Sequence, residues 1–346
     1  MAHVVRAGGR RIEVTSLDRV IFPEPGLTKG DIIEYYRRAA KWMAPHTRDR
    51  PANLQRFPEG IAGSGFFQQG MPDHFPEWIR SVTVAKEGGE VRHVILQDAA
   101  TLVYVANQGM LTPHVWPSRA DRLDRPDRMI FDLDPPGDAP AEVRRAALAV
   151  RELLDELELP NFVMTSGSRG YHVVVPLSRR ADYDTVRTFA RDAATLLASR
   201  HPDLLTTEVR KENRKGRILV DILRNAYAHT AVPPYAVRAR PAAPVATPID
   251  WDELDEKGMH PRRFTVITVL DRLEKHGDPW RSIGRSAVSL GAARRKLDAL
   301  NGRREAVRMP LPRDASTSRK AAGPNAGSKP SMRGSLGRMG RKGPPR

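Results

Sequence analysis

Residues 129–136 read MIFDLDPP, and the chain continues through NFVMT (161–165), SGSRG (166–170) and YHVVVPL (171–177). MIFDLD is an apolar run that alternates into two acids, the pattern of a strand with one covered face. Side chains on a strand point to opposite faces in turn, so Asp132 and Asp134 share a face. Pro135 and Pro136 cannot continue the ladder, so the two carboxylates stand at the strand's end. Residues 141–157 place Leu148, Leu153, Leu154 and Leu157 on one helical face. NFVMT and YHVVVPL flank SGSRG as the arms of a hairpin. A helix over 183–199, a strand at RILVDIL (217–223) and two helices between 261 and 300 complete the pattern. Strands and helices interleaved around a hairpin predict an α+β fold, with mixed or antiparallel sheets and flanking helices.

Toward the N-terminus, 28–44 reads as a helix. Thr28 and Asp31 have capping-box spacing, and Ile32, Ile33, Tyr35, Tyr36, Ala39 and Ala40 form its apolar side. Pro45 is expected to stop it. Residues 51–80, rich in Gly, Pro and aromatics, read as short strands and loops. Two segments are expected: a folded body over 1–300 and a disordered tail over 301–346, where apolar residues nearly vanish.

Charge and composition narrow the function. The 346 residues carry a net charge of +16. The tail has 12 basic and 2 acidic residues, a net of +10, leaving +6 for the body. A basic body with a more basic tail favours a polyanionic partner such as nucleic acid, against the alternative of a merely solvated surface. Disordered Lys and Arg bind phosphates by counterion release, without end specificity. Truncation near Asn301 should therefore make the slope of log DNA affinity against log salt shallower. Identical slopes with and without the tail would leave it a solubility role only. The absence of cysteine excludes disulfides, thiolate zinc sites, iron–sulfur clusters and thiol catalysis. No stretch of about 18 apolar residues occurs, and MAHVVRAGGRRIEV lacks an apolar signal core, so a cytoplasmic, non-membrane protein is expected. The P-loop, G-x-G-x-x-G, H-E-x-x-H and G-x-S-x-G patterns are missing, as is the K-x-D-G lysine motif of ATP-dependent ligases, so this chain is not expected to ligate.

Three features carry chemistry. Asp132 and Asp134, side by side, suit a hard divalent cation, or are simply a solvated pair. Asp221 stands alone among apolar neighbours in RILVDIL. It is either a hydrogen-bonded core residue or a third carboxylate completing a two-metal cluster for phosphoryl transfer. The basic residues around it, including Arg210, Lys211, Arg214, Lys215, Arg217 and Arg224, favour a polyphosphate over calcium. The turn TSGSRGYH (165–172) offers backbone N–H groups, hydroxyls, Arg169 and His172 to phosphate, or is an ordinary hairpin turn.

Taken together, LDRVIFPEPGLTKGDIIEYY (17–36), GFFQQ (65–69), NQGMLTPHVW (107–116), FDLDPP (131–136), TSGSRGYHVVVPL (165–177), and GRILVDILRN (216–225) with PPYAVRARPAAPVATPIDWDEL (233–254) resemble the polymerase domain of bacterial ligase D, of the archaeo-eukaryotic primase superfamily. The resemblance covers roughly 10–290. It implies a primase-type α+β fold and a template-dependent nucleotidyltransferase. Such an enzyme extends 3′-hydroxyls at double-strand-break ends with ribo- or deoxyribonucleotides during end joining. It implies Asp132, Asp134 and Asp221 as catalytic ligands of two Mn²⁺ or Mg²⁺ ions. Nucleotide contacts fall to Ser166, Arg169, His172 and Arg238, with His114 near the sugar and Arg214 close by. Arg19 and Lys29 match a pocket for a DNA 5′-phosphate, and Phe66 and Phe67 match aromatics that stack on template, one of which could instead be core. Implied partners are 5′-phosphorylated DNA ends, nucleoside triphosphates, a Ku-type end-binding protein and an ATP-dependent ligase. The implied location is the bacterial cytoplasm, at the nucleoid. This chain departs from the family at Gln69 and Arg19, where lysine is usual, and at MLTP before His114, where an acid is common. A non-catalytic end-bridging module and a metal-dependent nuclease are the alternatives.

Overall fold

The computed structural model describes residues 2–308, with side chains described for 3–302. A six-stranded sheet holds the motif strands in the order Leu205–Thr206, Ile218–Asp221, Arg128–Asp134, Tyr171–Pro176, Phe162–Thr165, Thr247–Ile249. Every neighbouring pair is antiparallel except the first, which is parallel, so the sheet is mixed. In a second sheet, Pro51–Arg56 pairs antiparallel with Phe66–Gln68, Gly89–Ile95 and Met110–Val115, and Ser81–Lys86 pairs with Gly89–Ile95. The α+β expectation holds.

Six α-helices are described: α1 (Lys29–Thr47), α2 (Ala99–Asn107), α3 (Pro140–Glu156), α4 (Tyr183–Arg200), α5 (Val269–His276) and α6 (Gly291–Arg308). α3 starts on a proline, whose missing N–H costs nothing in a first turn. α3 and α4 pack on one another and against the central Arg128–Asp134 strand. Phe131 and Leu133 enter the core fully while Asp132 and Asp134 stay on the half-open face, as period two requires.

The capping box forms at α1: Thr28 Oγ1 accepts from Asp31 N–H, and Asp31 accepts from Thr28 N–H. Pro45 does not stop that helix, which runs to Thr47. So near the C-terminal end, proline forfeits only the bond to the Lys41 carbonyl. Tyr35 and Tyr36 of α1 are buried and donate to the carbonyls of Tyr235 and Leu111. These bonds tie the 110–115 strand to the 235–237 segment, which sets His114 beside Arg238. RILVDIL is a strand only through Asp221, whose carboxylate accepts from Leu223 N–H and turns the chain. Asn225 then takes over the pairing with the central strand, bonding both Ile130 N–H and C=O. Helix α6 runs through Asn301 to Arg308, so a cut that spares it falls after Arg308. The rest of the expected tail, 309–346, lies outside the described residues.

Candidate active site

Strand register builds the site. Asp132 lies directly opposite Asp221 on one side and opposite His172 on the other. Three strands from distant parts of the chain therefore set Asp221, Asp132 and His172 in one row, with Asp134 two residues along. A cleft of about 200 Å³ opens on this row. His114, Ser166, Arg169, Arg224 and Arg238 also line it.

Each carboxylate has a distinct environment. Asp132 is held by His172 Nε2 at 3.4 Å and Arg224 Nε at 3.3 Å. Burial alone would raise its pKa, but the His172 charge and hydrogen bond, followed by Arg224, hold it well below the usual carboxylate range. Asp134 faces Arg214 Nη1 at 3.2 Å and Arg169 Nη2 at 3.7 Å. Asp221 is pushed up by burial and by the charges of Asp132 and Asp134, against a counter-pull from Leu223 N–H and Arg224. Among the described residues no three His, Asp or Glu side chains already stand in a metal-holding cage. Asp132 and Asp134 instead point at arginines, and Asp221 accepts from Leu223 N–H. The donor set is still all hard oxygen, and the charges of Asp132 and Asp134 add to burial in raising Asp221, a repulsion that a divalent cation relieves.

The 165–170 turn is built around Ser166, 5% exposed. Its Oγ accepts from Ser168 N–H and Gly170 N–H, each at 3.2 Å. Ser166 N–H is given to Gly170 C=O, and Gly167 N–H to Pro261 C=O. Those four N–H groups are therefore spent inside the protein. The expectation that the turn cradles phosphate through its backbone is corrected to this extent: its contribution comes through Arg169 and what Ser166 organises. Arg238 Nη1 donates to Ser166 C=O at 2.7 Å, and burial brings its pKa down to about 10. His114 is driven down to about 3, by burial first and then by Arg238, Arg224 and His172. It is thus a neutral imidazole, and its buried Nε2 has no hydrogen-bond partner. Arg214 donates to Asp134 and, through its other nitrogens, to the carbonyls of Glu208 and Val209.

Arg19 and Lys29 line a separate recess of about 190 Å³. Arg19 Nη1 donates to Pro58 C=O and Glu59, and Lys29 Nζ donates to Thr15 C=O at 2.7 Å. Burial, then Arg19, lowers the Lys29 pKa. Phe66 and Phe67 are 48% and 59% exposed, so neither is core. They sit on a three-residue edge strand with no covering layer. The Phe67 ring meets His114 edge-on at 5.3 Å, and the Arg56 guanidinium lies 5.3 Å from the Phe66 centroid. Arg56 also lines the Lys29 recess, linking recess, aromatics and cleft. Neither Arg56 nor Arg224 is assignable from spacing. Arg224, three positions beyond Asp221 in a basic stretch, carries the better signal.

The chain matches the family described as LigD, primase-polymerase domain, over residues 28–280. It is 33% identical over 271 residues to the multifunctional non-homologous end joining protein LigD of Mycolicibacterium smegmatis, covering 78% of this chain and 35% of that protein. The bifunctional non-homologous end joining protein LigD of Bacillus subtilis is 32% identical over 272 residues, 78% of this chain and 44% of that protein. This chain thus spans less than half the length of these relatives. Among solved structures, the polymerase domain from Mycobacterium tuberculosis ligase D in complex with DNA matches with a TM-score of 0.74 and 32% identity, covering 80% of this chain and 99% of that one.

Proposed function

The chain belongs to the LigD primase-polymerase family, a family of nucleotidyltransferases, and from that premise we propose that it extends 3′-hydroxyls at broken DNA ends, copying template during end joining. The observation that carries this reading is the row Asp221–Asp132–His172 beside Asp134, ringed by Arg169, Arg224 and Arg238. A hydrolase needs the carboxylates. A cleft that also gathers four arginines, Arg169, Arg224, Arg238 and Arg240, and a buried neutral histidine is suited to a bound triphosphate.

Asp132 and Asp134 would hold two Mg²⁺ or Mn²⁺ ions, with Asp221 on the one nearer the primer end. Such ions supply nucleophile activation and stabilise the leaving pyrophosphate. The protein's own groups do the rest. Arg169 and Arg238 bind phosphate oxygens from fixed positions. His172 and Arg224 keep Asp132 ionised, and Arg214 holds Asp134 in place. His114, neutral and unpartnered, offers one hydrogen bond to the nucleotide's sugar, for ribo- and deoxyribonucleotides alike. The recess at Arg19 and Lys29 receives the 5′-phosphate of the DNA end, and Phe66 and Phe67 stack on template without reading sequence. A Ku-type protein and an ATP-dependent ligase are the partners this activity calls for. The site of action is cytoplasmic, at the nucleoid; among the described residues no helix is long and apolar enough to cross a membrane.

One incubation tests the reading: protein, a labelled 3′-overhang, nucleoside triphosphates and Mn²⁺. Longer strands support it, shorter strands favour a nuclease, and unchanged strands a bridging module. For the end pocket, Lys29→Ala should weaken binding to 5′-phosphorylated ends by about 1.5–3 kcal/mol more than to 5′-hydroxyl ends. Arg19→Ala should lose less, since Glu59 already competes for it. Equal losses on both substrates in a binding titration would remove the phosphate role.

A further inference from the structure

A larger cavity, of about 610 Å³, shares no lining residue with the catalytic cleft. It lies at the opposite end of the same central strand: Arg128 begins that strand and Asp134 ends it. At about 3.3 Å per residue the two are about 20 Å apart. Six cationic side chains line the cavity against two carboxylates, Asp127 and Asp278.

The two carboxylates are already occupied. Asp127 is shared by Arg50 and Arg119, at 2.7 and 2.8 Å. Asp278 receives His46 Nε2 at 2.7 Å and the Tyr235 hydroxyl at 2.6 Å. Arg179 is held by Asp121, outside the cavity. Arg128, 8% exposed, is left with two long contacts, 3.4 and 3.5 Å, both to His46, and no ion pair among the described residues. Lys41 and Arg281, both exposed at the rim, likewise have no carboxylate partner there. The Lys41 ammonium rests on the Trp42 ring at 3.9 Å. Asp127 and Asp278 act on it only from beyond ion-pair distance, and both are already paired to other groups. A buried guanidinium with no direct carboxylate partner is costly to fold around, so its place at the wall of a cavity favours an anion inside. Burial and Arg50 together pull the Arg128 pKa down to about 9, which still leaves it charged near neutrality.

We propose that this cavity is a second anion site, taking the phosphoryl group of a small phosphorylated ligand. Arg128 supplies the charged floor, and Lys41 and Arg281 the rim. The volume falls within the range of small-molecule sites. Trp42, Trp280 and Ile283 offer apolar wall beside the cations, enough for a planar ring attached to the phosphate. The chain's own C-terminal residues do not fit as occupant: 309–346 hold nine Lys and Arg against the single acid Asp314. The proposal rests on the charge balance of this cavity and is independent of the polymerase reading.

Equilibrium dialysis of labelled pyrophosphate, and separately of adenosine diphosphate, tests it. The full chain is used in EDTA, with Arg169→Ala to weaken the catalytic cleft. One saturable site should persist. Arg128→Met should lower its affinity about tenfold, the loss of one charge-assisted contact. Because Arg128 is buried, the rim pair Lys41→Ala/Arg281→Ala is measured alongside and should cost about threefold or more without disturbing the core. Tighter binding of adenosine diphosphate than of pyrophosphate would identify a nucleotide-type ligand, and equal binding a bare phosphoryl group; both support the site. No saturable binding of either probe, or binding indifferent to the rim pair, would overturn it.

Discussion

Asp132→Asn is expected to abolish nucleotide addition, by about 10³-fold or more, while changing affinity for DNA ends little. Asn keeps the volume and one oxygen, so the Arg128–Asp134 strand keeps its register between the Asp221 and His172 strands. What is lost is the central charge of the row. Asp132 is the only one of the three carboxylates paired across the sheet with both another carboxylate and a histidine. Without it, Asp221 loses one repelling neighbour, while burial, the larger cause, still holds its pKa up. Arg224 loses its counter-charge, and His172 loses its carboxylate partner. Thermal midpoints should be recorded with the rates, since a variant left with an unpaired Arg224, 38% exposed, and a buried His172 without its acceptor loses some stability as well. Asp134→Asn is the companion: Asp134 is more exposed, so its loss of activity should come with less loss of stability. Primer extension by either variant at near wild-type rate would remove the carboxylates from the mechanism.

Much of this site can be read in the chain, for reasons specific to its residues. DLD ends an apolar strand, and period two alone places Asp132 with Asp134. The hairpin follows because FVMT and YHVVVP are apolar runs around a glycine-bearing turn, and they pair residue for residue. Spacing along the chain is silent on adjacency between strands. That Asp221 lies opposite Asp132 is a fact of register; the residues left it open between a core aspartate and a third carboxylate, and the resemblance to ligase D polymerase domains favoured the second. The backbone of the SGSRG turn looked free to bind phosphate because sequence does not show that Ser166 Oγ consumes two of its N–H groups. Phe66 and Phe67 invited the rule that strand neighbours face opposite sides of a layered sheet. On this edge strand both rings stay about half exposed, each with one neighbour, Arg56 or His114. The Arg128 cavity has no sequence signature, since its cations come from segments spread between Lys41 and Arg281.

Gly170→Ala is expected to cost the domain about 3 kcal/mol or more, and to leave any folded fraction inactive. A Cβ at this position would collide with the Leu133 carbonyl oxygen, on the backbone between Asp132 and Asp134. No side-chain rotation relieves a clash with backbone, so either the turn lifts off the central strand or the strand shifts. Both motions separate Arg169 from Asp134 and unseat Ser166, which accepts from Gly170 N–H. The cost is steric alone, because Gly170 does not occupy the left-handed region. Gly216→Ala provides the contrast. Its φ is +78 and nothing lies within 4 Å of a Cβ there, so it should lose only about 1 kcal/mol, from backbone strain, and keep its activity. For a folded body of roughly 300 residues, about 3 kcal/mol lowers the thermal midpoint by roughly 5 °C, against roughly 1.5 °C for the control. Differential scanning calorimetry with a primer-extension assay on the same samples separates the two. If Gly170→Ala melts and extends like wild type, the turn does not press against the Asp132–Asp134 strand, and the cleft built from that contact is wrong.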